Sequence, residues 1–433
     1  MKKSDIRIID VKADFWPIKM RLPLKFGSSV IESITCCRVA MTVENRDGKI
    51  ACGYGETPLS VGWGWPSAEL TFEYREEKMV EFCRKLAPMW ITDEFADHMT
   101  HGNNFDLPED IPHLASLICN SAFDIALHDA FGRVNGVNTY ATYNSDYMNH
   151  DLGYFYDDEK FSGKYPEDFF VQNLPDKLPV WHLVGGKDLL TDAERTGNEP
   201  DDGYPVTLEE WIKSDGLFCL KIKLTGNDHD WDLKRLLDVG KIAEKYDVKY
   251  LSPDFNCLVK TPDYVNQILD ELKEISPSIY VKLIYVEQPF PYDLEANQID
   301  IHSVSARKPV FMDESAHNWK FVKLGLQLGW NGVALKVCKS QTGAILSACW
   351  AKENNMQLMV QDLSNPALAI IPHVRLAQYI GTIMGVECNA AQFYPEASAE
   401  FAGRHKFLYK RQNGMVDLST LADHGLGYMQ EDI

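Results

Sequence analysis

Residues 5–60 alternate apolar and polar side chains with a period of two, as in IRIIDVKADF and CCRVAMTVENRDGKIACGYGE, and so predict strands. Within the second run, Asn45–Arg46–Asp47–Gly48 separates two β-rich halves and predicts a hairpin turn. From 66 to 134 the period becomes helical. SAELTFEYREEKMVEFCRKLA predicts an amphipathic helix, and LASLICNSAFDIALHDAFGRVNG a long apolar one ending near Gly136. From 180 onward short β-rich runs (LPVWHLV, FCLKIKL, VKYLSPDFN, IYVEQPF, PVFMDES, GVALKVCK, LMVQDLS and GVECNAAQ) alternate with amphipathic stretches such as WDLKRLLDVGKIAEKY and GAILSACWAKENN. This alternation predicts parallel strands, and seven or eight such units over about 210 residues fit a closed (β/α) barrel better than an open sheet.

The pattern divides the chain into four parts. Residues 1–140 form an α+β domain, and 141–178 an irregular connection rich in aromatic, acidic and turn-forming residues. Residues 179–395 form the barrel, and 396–433 a polar, strand-like tail expected to pack back on the first domain.

Composition acts mainly by exclusion. The 433 residues are 45% hydrophobic and 24% charged, enough apolar material for a sizeable core. A net charge of −20 argues against nucleic acid or an anionic membrane as the main partner. No apolar stretch reaches the roughly 18–20 residues that span a bilayer. The N-terminal MKKSDIRIIDVKADF lacks the continuous apolar segment of a signal peptide. The 10 cysteines are scattered, with Cys36–Cys37 the only close pair and no CxxC, which suits a reduced, cytoplasmic chain. An acidic protein can still bind an anionic substrate where a cation sits in the site.

Active sites of such barrels lie at the carboxyl ends of the strands. Here those ends carry Lys221 and Lys223, then Asp254 and Asn256, Glu287, Asp313 and Glu314, Lys336, and Asp362. Carboxylates on three successive strands, flanked by lysines before and after, form an ordered set. Three rigidly held carboxylates suit a hard cation such as Mg²⁺, which keeps positions free for substrate and water. A divalent ion would stabilise the enediolate formed when a proton leaves the carbon beside a carboxylate. Lys223 and Lys336 would serve the two faces of that carbon. Lys221 and Lys223 lie on one side of one strand, so their repulsion is expected to lower the pKa of one of them toward a working base.

KIKLTG (221–226), PDFN (253–256), VEQPF (286–290), MDES (312–315) and ALKVCKSQTG (334–343), taken in order, resemble the enolase superfamily, in particular its mandelate racemase/muconate lactonising enzyme branch. MRLPLKFGSS, GYGE and SAFDIALHDAFGRVNG resemble the cap loop, cap hairpin and cap-to-barrel helix of that group. The resemblance implies an α/β fold: a modified TIM barrel, (β/α)7β-like, with an N-terminal α+β capping domain completed by the C-terminal tail. It implies Asp254, Glu287 and Asp313 as ligands of one Mg²⁺ (or Mn²⁺), Lys223 and Lys336 as the acid/base pair, and Lys221 as a tuning or carboxylate-binding residue. Use of a Lys or His base with Mg²⁺ is a general property of that superfamily. The racemase-type His at the seventh strand end is replaced by Gln361–Asp362. The Asp-x-Asp of dipeptide epimerases is replaced by Glu387–Cys388–Asn389, which argues against dipeptide substrates.

The expected function is isomerase or lyase chemistry on a small carboxylic acid: racemisation, epimerisation or cycloisomerisation, with syn-dehydration of an acid sugar or hydroxy acid as the alternative. A non-catalytic metal- or ligand-binding barrel is the reading from another class, and the complete lysine and carboxylate set argues against it. A homo-oligomer is expected. Asn256, Glu314, Asp362, Ser28, Ser29, Trp63 and Trp65 are candidate substrate contacts, the tryptophans through a glycine-rich cap loop, PLSVGWGWPS. Asp362 reads nearly as well as a helix N-cap. Asp313 and Glu314 are adjacent and point opposite ways, so Asp313 is the preferred ligand. Lys339 reads as a supporting residue, and His182 and His373 as structural ones.

Overall fold

The computed structural model describes residues 2–26 and 29–429. The N-terminal part is an antiparallel sheet in the order β3-β2-β1-β4, built from β1 (Ile6–Phe26), β2 (Ser29–Asn45), β3 (Ile50–Pro58) and β4 (Thr92–Ala96). Ile8 lies opposite Val43 and Phe15 opposite Cys37. The expected hairpin joins β2 to β3. There the Asn45 side-chain oxygen accepts the N–H groups of Asp47 and Lys49 at 3.1 and 3.0 Å, and Gly48 supplies the φ of 77°.

Four helices pack on this sheet: α1 (Val61–Gly64), α2 (Phe72–Met89), α3 (His98–Asn104) and α4 (His113–Asn135). α2 starts later than its amphipathic pattern implies. The Ser67 hydroxyl accepts the N–H groups of Glu69 and Leu70 at 3.1 and 3.0 Å and holds a turn. Thr71 then caps the helix through the N–H of Tyr74 at 3.2 Å. α4 ends as expected, at Gly136 with φ 70° and ψ 30°. Gly53 and Gly55 on β3 let the sheet approach α4 closely, since a Cβ at either would overlap the α4 backbone. β4 and α3, which the apolar pattern does not reveal, are short and polar. Asp97 caps α3 through the N–H of Thr100 at 3.0 Å.

Residues 137–176 run through 3₁₀ turns and α5 (Leu152–Tyr156) to a parallel sheet of eight strands. These are β5 (Lys177–Val184), β6 (Cys219–Lys223), β7 (Tyr250–Asp254), β8 (Val286–Glu287), β9 (Val310–Met312), β10 (Gly332–Leu335), β11 (Gln357–Val360) and β12 (Val386–Glu387). They follow one another in chain order, and pairing of β12 with β5 closes the barrel. Each apolar run read from the sequence holds one of them. Between successive strands lie α6 (Leu208–Asp215), α7 (His229–Lys245), α8 (Pro262–Ile275), α9 (Pro277–Lys282), α10 (His302–Ser305), α11 (Trp319–Leu328), α12 (Gln341–Glu353) and α13 (Ile370–Ile380). Among the described residues, the α-helices after β12 are the one-turn α14 (Ala390–Phe393), α15 (Ala399–Ala402) and α16 (Lys406–Tyr409). This is a (β/α)7β barrel under an antiparallel cap.

The tail serves both parts. Its strand, β13 (Met415–Asp417), pairs antiparallel with the start of β5, Val416 opposite Leu178, and so extends the barrel sheet. The residues after it dock on the cap helix: Asp129 of α4 accepts the Leu426 N–H at 2.8 Å, and Arg133 donates to the Tyr428 carbonyl at 2.9 Å.

Candidate active site

Along each barrel strand, side chains alternate between the interior and the helical shell. One interior layer is apolar: Trp181, Cys219, Tyr285, Phe311 and Met359 form a single buried cluster, with the Tyr285 and Phe311 rings stacked at 4.4 Å. Gly332 makes room for this layer, because a Cβ there would overlap the Phe311 ring. Two residues further along the same five segments stand Leu183, Lys221, Glu287, Asp313 and Gln361. The polar layer therefore rests on an apolar floor, away from bulk water.

Strand register arranges the charges around the rim. Lys223 lies opposite Asp254, and Asp254 opposite Glu287. β6 and β10 are four strands apart in a closed sheet of eight, so Lys223, at the end of β6, and Lys336, just after β10, come from opposite sides of the barrel. Asp254, Glu287 and Asp313 occupy the arc between them. Lys223 Nζ is 2.5 Å from Asp254 Oδ2, and Lys336 Nζ is 3.0 Å from Asp313 Oδ2. Lys221 Nζ sits between, 2.5 Å from Glu287, 3.2 Å from Asp254 and 3.4 Å from Glu387.

Burial alone would discharge Lys221 and Lys336, but the carboxylates outweigh it. Lys221 is held well above the ordinary lysine value by Glu287, Glu387 and Asp254, and Lys336 is raised by Asp313. Of the Lys221–Lys223 pair, Lys221 is therefore not the amine that lysine–lysine repulsion lowers, because acids from across the barrel lie against it. Asp254 and Asp313 are pushed up by burial, then drawn below the usual range by Lys223 and Lys221 in one case and Lys336 and Lys339 in the other. Glu287 and Glu314 go the opposite way: burial raises both, and their neighbours do not fully offset it.

Several site residues were not singled out from the sequence. Gln361 donates to Glu287 and to the Tyr285 hydroxyl. Gln288, with φ 30°, accepts the Asp313 N–H at 2.7 Å and orients that strand end. Glu387 and Asn389 line the cavity from the eighth strand, joined by a 2.7 Å hydrogen bond. The sequence marks these two only as the place where an Asp-x-Asp is missing. Lys339 donates to the Asp313 carbonyl, which fits its supporting role.

Of the candidate substrate contacts, Asn256 accepts from Lys223 at 2.9 Å. Glu314 accepts the Trp63 indole N–H at 2.8 Å. The Trp63 ring also lies 4.8 Å from Lys336 Nζ. Trp65 does not line the cavity; its carbonyl binds Arg75. Asp362 lines the cavity and caps no helix. Its carboxylate accepts the N–H groups of Ser364 and Asn389, both at 2.9 Å, while its carbonyl accepts from Lys336 at 2.9 Å. Ser28 lies outside the described residues, and Ser29 opens β2 with its side chain outside them as well. His182 and His373 are buried, and burial lowers both, His373 to about 4. The cavity, of about 60 Å³, is lined by Ile31, Ser60, Trp63 and Leu183 beside the charged groups.

Among the described residues, no three His, Cys, Asp or Glu side chains are gathered as a metal cluster. Each acid on the arc is turned toward a lysine instead. The donor set nevertheless suits a hard dication. Six carboxyl groups (Asp254, Glu287, Asp313, Glu314, Asp362 and Glu387) stand against four lysines (221, 223, 336 and 339), two more acids than bases. Glu314 Oε2 is buried with no hydrogen-bond partner at bonding distance among the described residues, and the Lys221 ammonium lies where added positive charge is wanted.

No model of a known protein family matches the chain, and no curated protein matches it. Solved structures do match it in fold. A dipeptide epimerase from Enterococcus faecalis V583, complexed with Mg and the dipeptide L-Leu-L-Tyr, is 16% identical with a TM-score of 0.68, covering 97% of this chain and 99% of that one. An N-succinyl Arg/Lys racemase from Bacillus cereus ATCC 14579 is 16% identical with a TM-score of 0.65, covering 98% and 96%. A muconate lactonizing enzyme from Pseudomonas fluorescens, complexed with muconolactone, is 16% identical with a TM-score of 0.59, covering 88% and 87%. The capped barrel implied by the sequence motifs is the fold these structures share with this chain.

Proposed function

We propose that the chain is a magnesium-dependent racemase or epimerase that moves the proton on the carbon beside the carboxylate of a small acid. The observation that carries this reading is the placement of Lys223 and Lys336 on opposite sides of one barrel mouth, with Asp254, Glu287 and Asp313 on the arc between them. An amine on each face of a carbon allows removal from one side and return from the other, which inverts the centre. Proton transfer by positioned groups of this kind contributes roughly 10²–10⁴-fold to rate.

Asp254, Glu287 and Asp313 would hold the ion, and bound Mg²⁺ would supply fixed positive charge against the negative charge that builds on the substrate carboxylate. Lys221, kept charged by three acids, adds to the same field. Ile31, Leu183 and Trp63 close the cavity with apolar surface and exclude water. Ser60, Asp362, Glu387 and Asn389 offer polar contacts to the substrate's other end, and the small cavity favours substrates of few atoms.

The test is exchange of the α-proton in D₂O across a set of small carboxylic acids, with Mg²⁺ and with chelator. The expected result is Mg²⁺-dependent exchange at one substrate centre. It should be lost for one enantiomer in Lys223→Ala and for the other in Lys336→Ala, with interconversion lost in both. Exchange that survives both substitutions would overturn the reading.

A further inference from the structure

We propose that the flank of the barrel between β12 and β5, lined by residues other than those of the lysine–carboxylate mouth, holds a binding site for a small amphiphilic carboxylate. Among the described residues, no helix longer than one turn follows β12 at this seam. α13 and α6 stand on either side, and the one-turn helices α14, α15 and α16 close the gap. They leave a cavity of about 380 Å³, a size typical of small-molecule sites, which run from about 300 to 1,000 Å³. Its lining is mostly apolar, with Trp211, Ile370 and Leu408 supplying the large surfaces.

The cavity also contains one built polar group. Arg411 lines it and is 4% exposed. Its Nε donates to Asp215 Oδ2 at 2.6 Å. Its Nη1 donates to His182 Nδ1 at 3.0 Å, and His182 can accept because burial, then Arg411 itself, keeps the ring neutral. Nη2 is buried and has no hydrogen-bond partner among the described residues. A buried guanidinium N–H left without an acceptor is uncommon, and it calls for an oxygen.

Charge selects the kind of oxygen. Asp215 balances Arg411, while Lys406 and Lys410 line the cavity from its exposed rim and add positive charge. The positive charge left over suits an anion. A carboxylate matches the planar guanidinium, and the apolar walls call for a hydrocarbon body behind it. Arg411 Nη1 also reaches the Cys388 carbonyl at 3.4 Å. Cys388 separates Glu387 from Asn389, so the site adjoins the catalytic rim through one residue of backbone.

The test is calorimetric titration of the full chain with octanoate, with octan-1-ol and inorganic phosphate as the apolar-only and anion-only probes. Octanoate is expected to bind saturably, at least about tenfold more tightly than either control. Ala402→Trp fills the cavity while leaving Arg411 in place, and should weaken octanoate binding by at least about tenfold. Ala399→Trp, at an exposed alanine that also lines the cavity, does the same if the first variant fails to fold. Lys336→Met, in the barrel mouth, should leave octanoate binding intact. Octan-1-ol or phosphate binding as tightly as octanoate overturns the proposal. So does unchanged binding in a folded tryptophan variant, or binding lost in Lys336→Met.

Discussion

Trp63 of the cap donates its indole N–H to Glu314 of the barrel at 2.8 Å, a bond between residues 251 positions apart in the chain. Both partners are buried, and the other Glu314 oxygen has no partner at bonding distance among the described residues. Trp63→Phe keeps the ring and removes the donor. It should destabilise the protein by about 1–3 kcal/mol, the usual cost of stranding a buried acceptor. Adding Glu314→Gln should recover part of that loss, since an amide tolerates the missing donor better than a carboxylate. Chemical denaturation of the two single variants and the double measures the coupling, and strict additivity would contradict it.

Lys221 lies among three acids in a dry layer. Lys221→Met should destabilise the metal-free protein by about 3–5 kcal/mol, because it leaves buried acids uncompensated. Added Mg²⁺ should raise the melting temperature of this variant more than that of the parent chain. Equal shifts in the two would mean that the ion does not bind beside Lys221.

Glu56 sits at the inner end of β3, fully buried, 2.6 Å from Arg38. Burial lifts its carboxyl from 4.5 to about 7, against the pull of Arg38. The folded state therefore holds a proton that the unfolded chain releases. The Glu56 contribution is complete below pH 4.5 and declines as pH rises through 7. Relative to Glu56→Gln, the parent chain should lose about 1–3 kcal/mol between pH 4.5 and 7.5. Parallel stability curves for the two proteins would refute the assignment.

Gly332→Ala should cost about 1–3 kcal/mol through overpacking against Phe311. Phe311→Leu, which shortens the neighbour, should relieve much of the effect in the double variant. Thermal denaturation of the four proteins in the cycle tests this.

The barrel was readable from the chain because each strand–helix unit carries its own switch of period. The ends of the apolar runs also carry the charged set: Lys221, Lys223, Asp254, Glu287, Asp313 and Lys336 all reach one mouth. What escaped were features set by three-dimensional neighbours. β4 and α3 are too short and polar to impose a period. Glu387, Asn389 and Gln361 join the site through contacts across the barrel that strand spacing does not encode. The upward shift of Lys221 was hidden for the same reason: its nearest charges are acids contributed by β7, β8 and β12.

The stacked rings of Tyr285 and Phe311, with Trp181 and Met359, plug the barrel beneath the lysines. The vessel is thus closed at its base. Whatever reaches the ammonium groups, whether ion, acid or water, enters and departs by the lip where Trp63 stands. On the proposed function, traffic and chemistry share one doorway, and a change in the cap that narrows it is expected to slow both together.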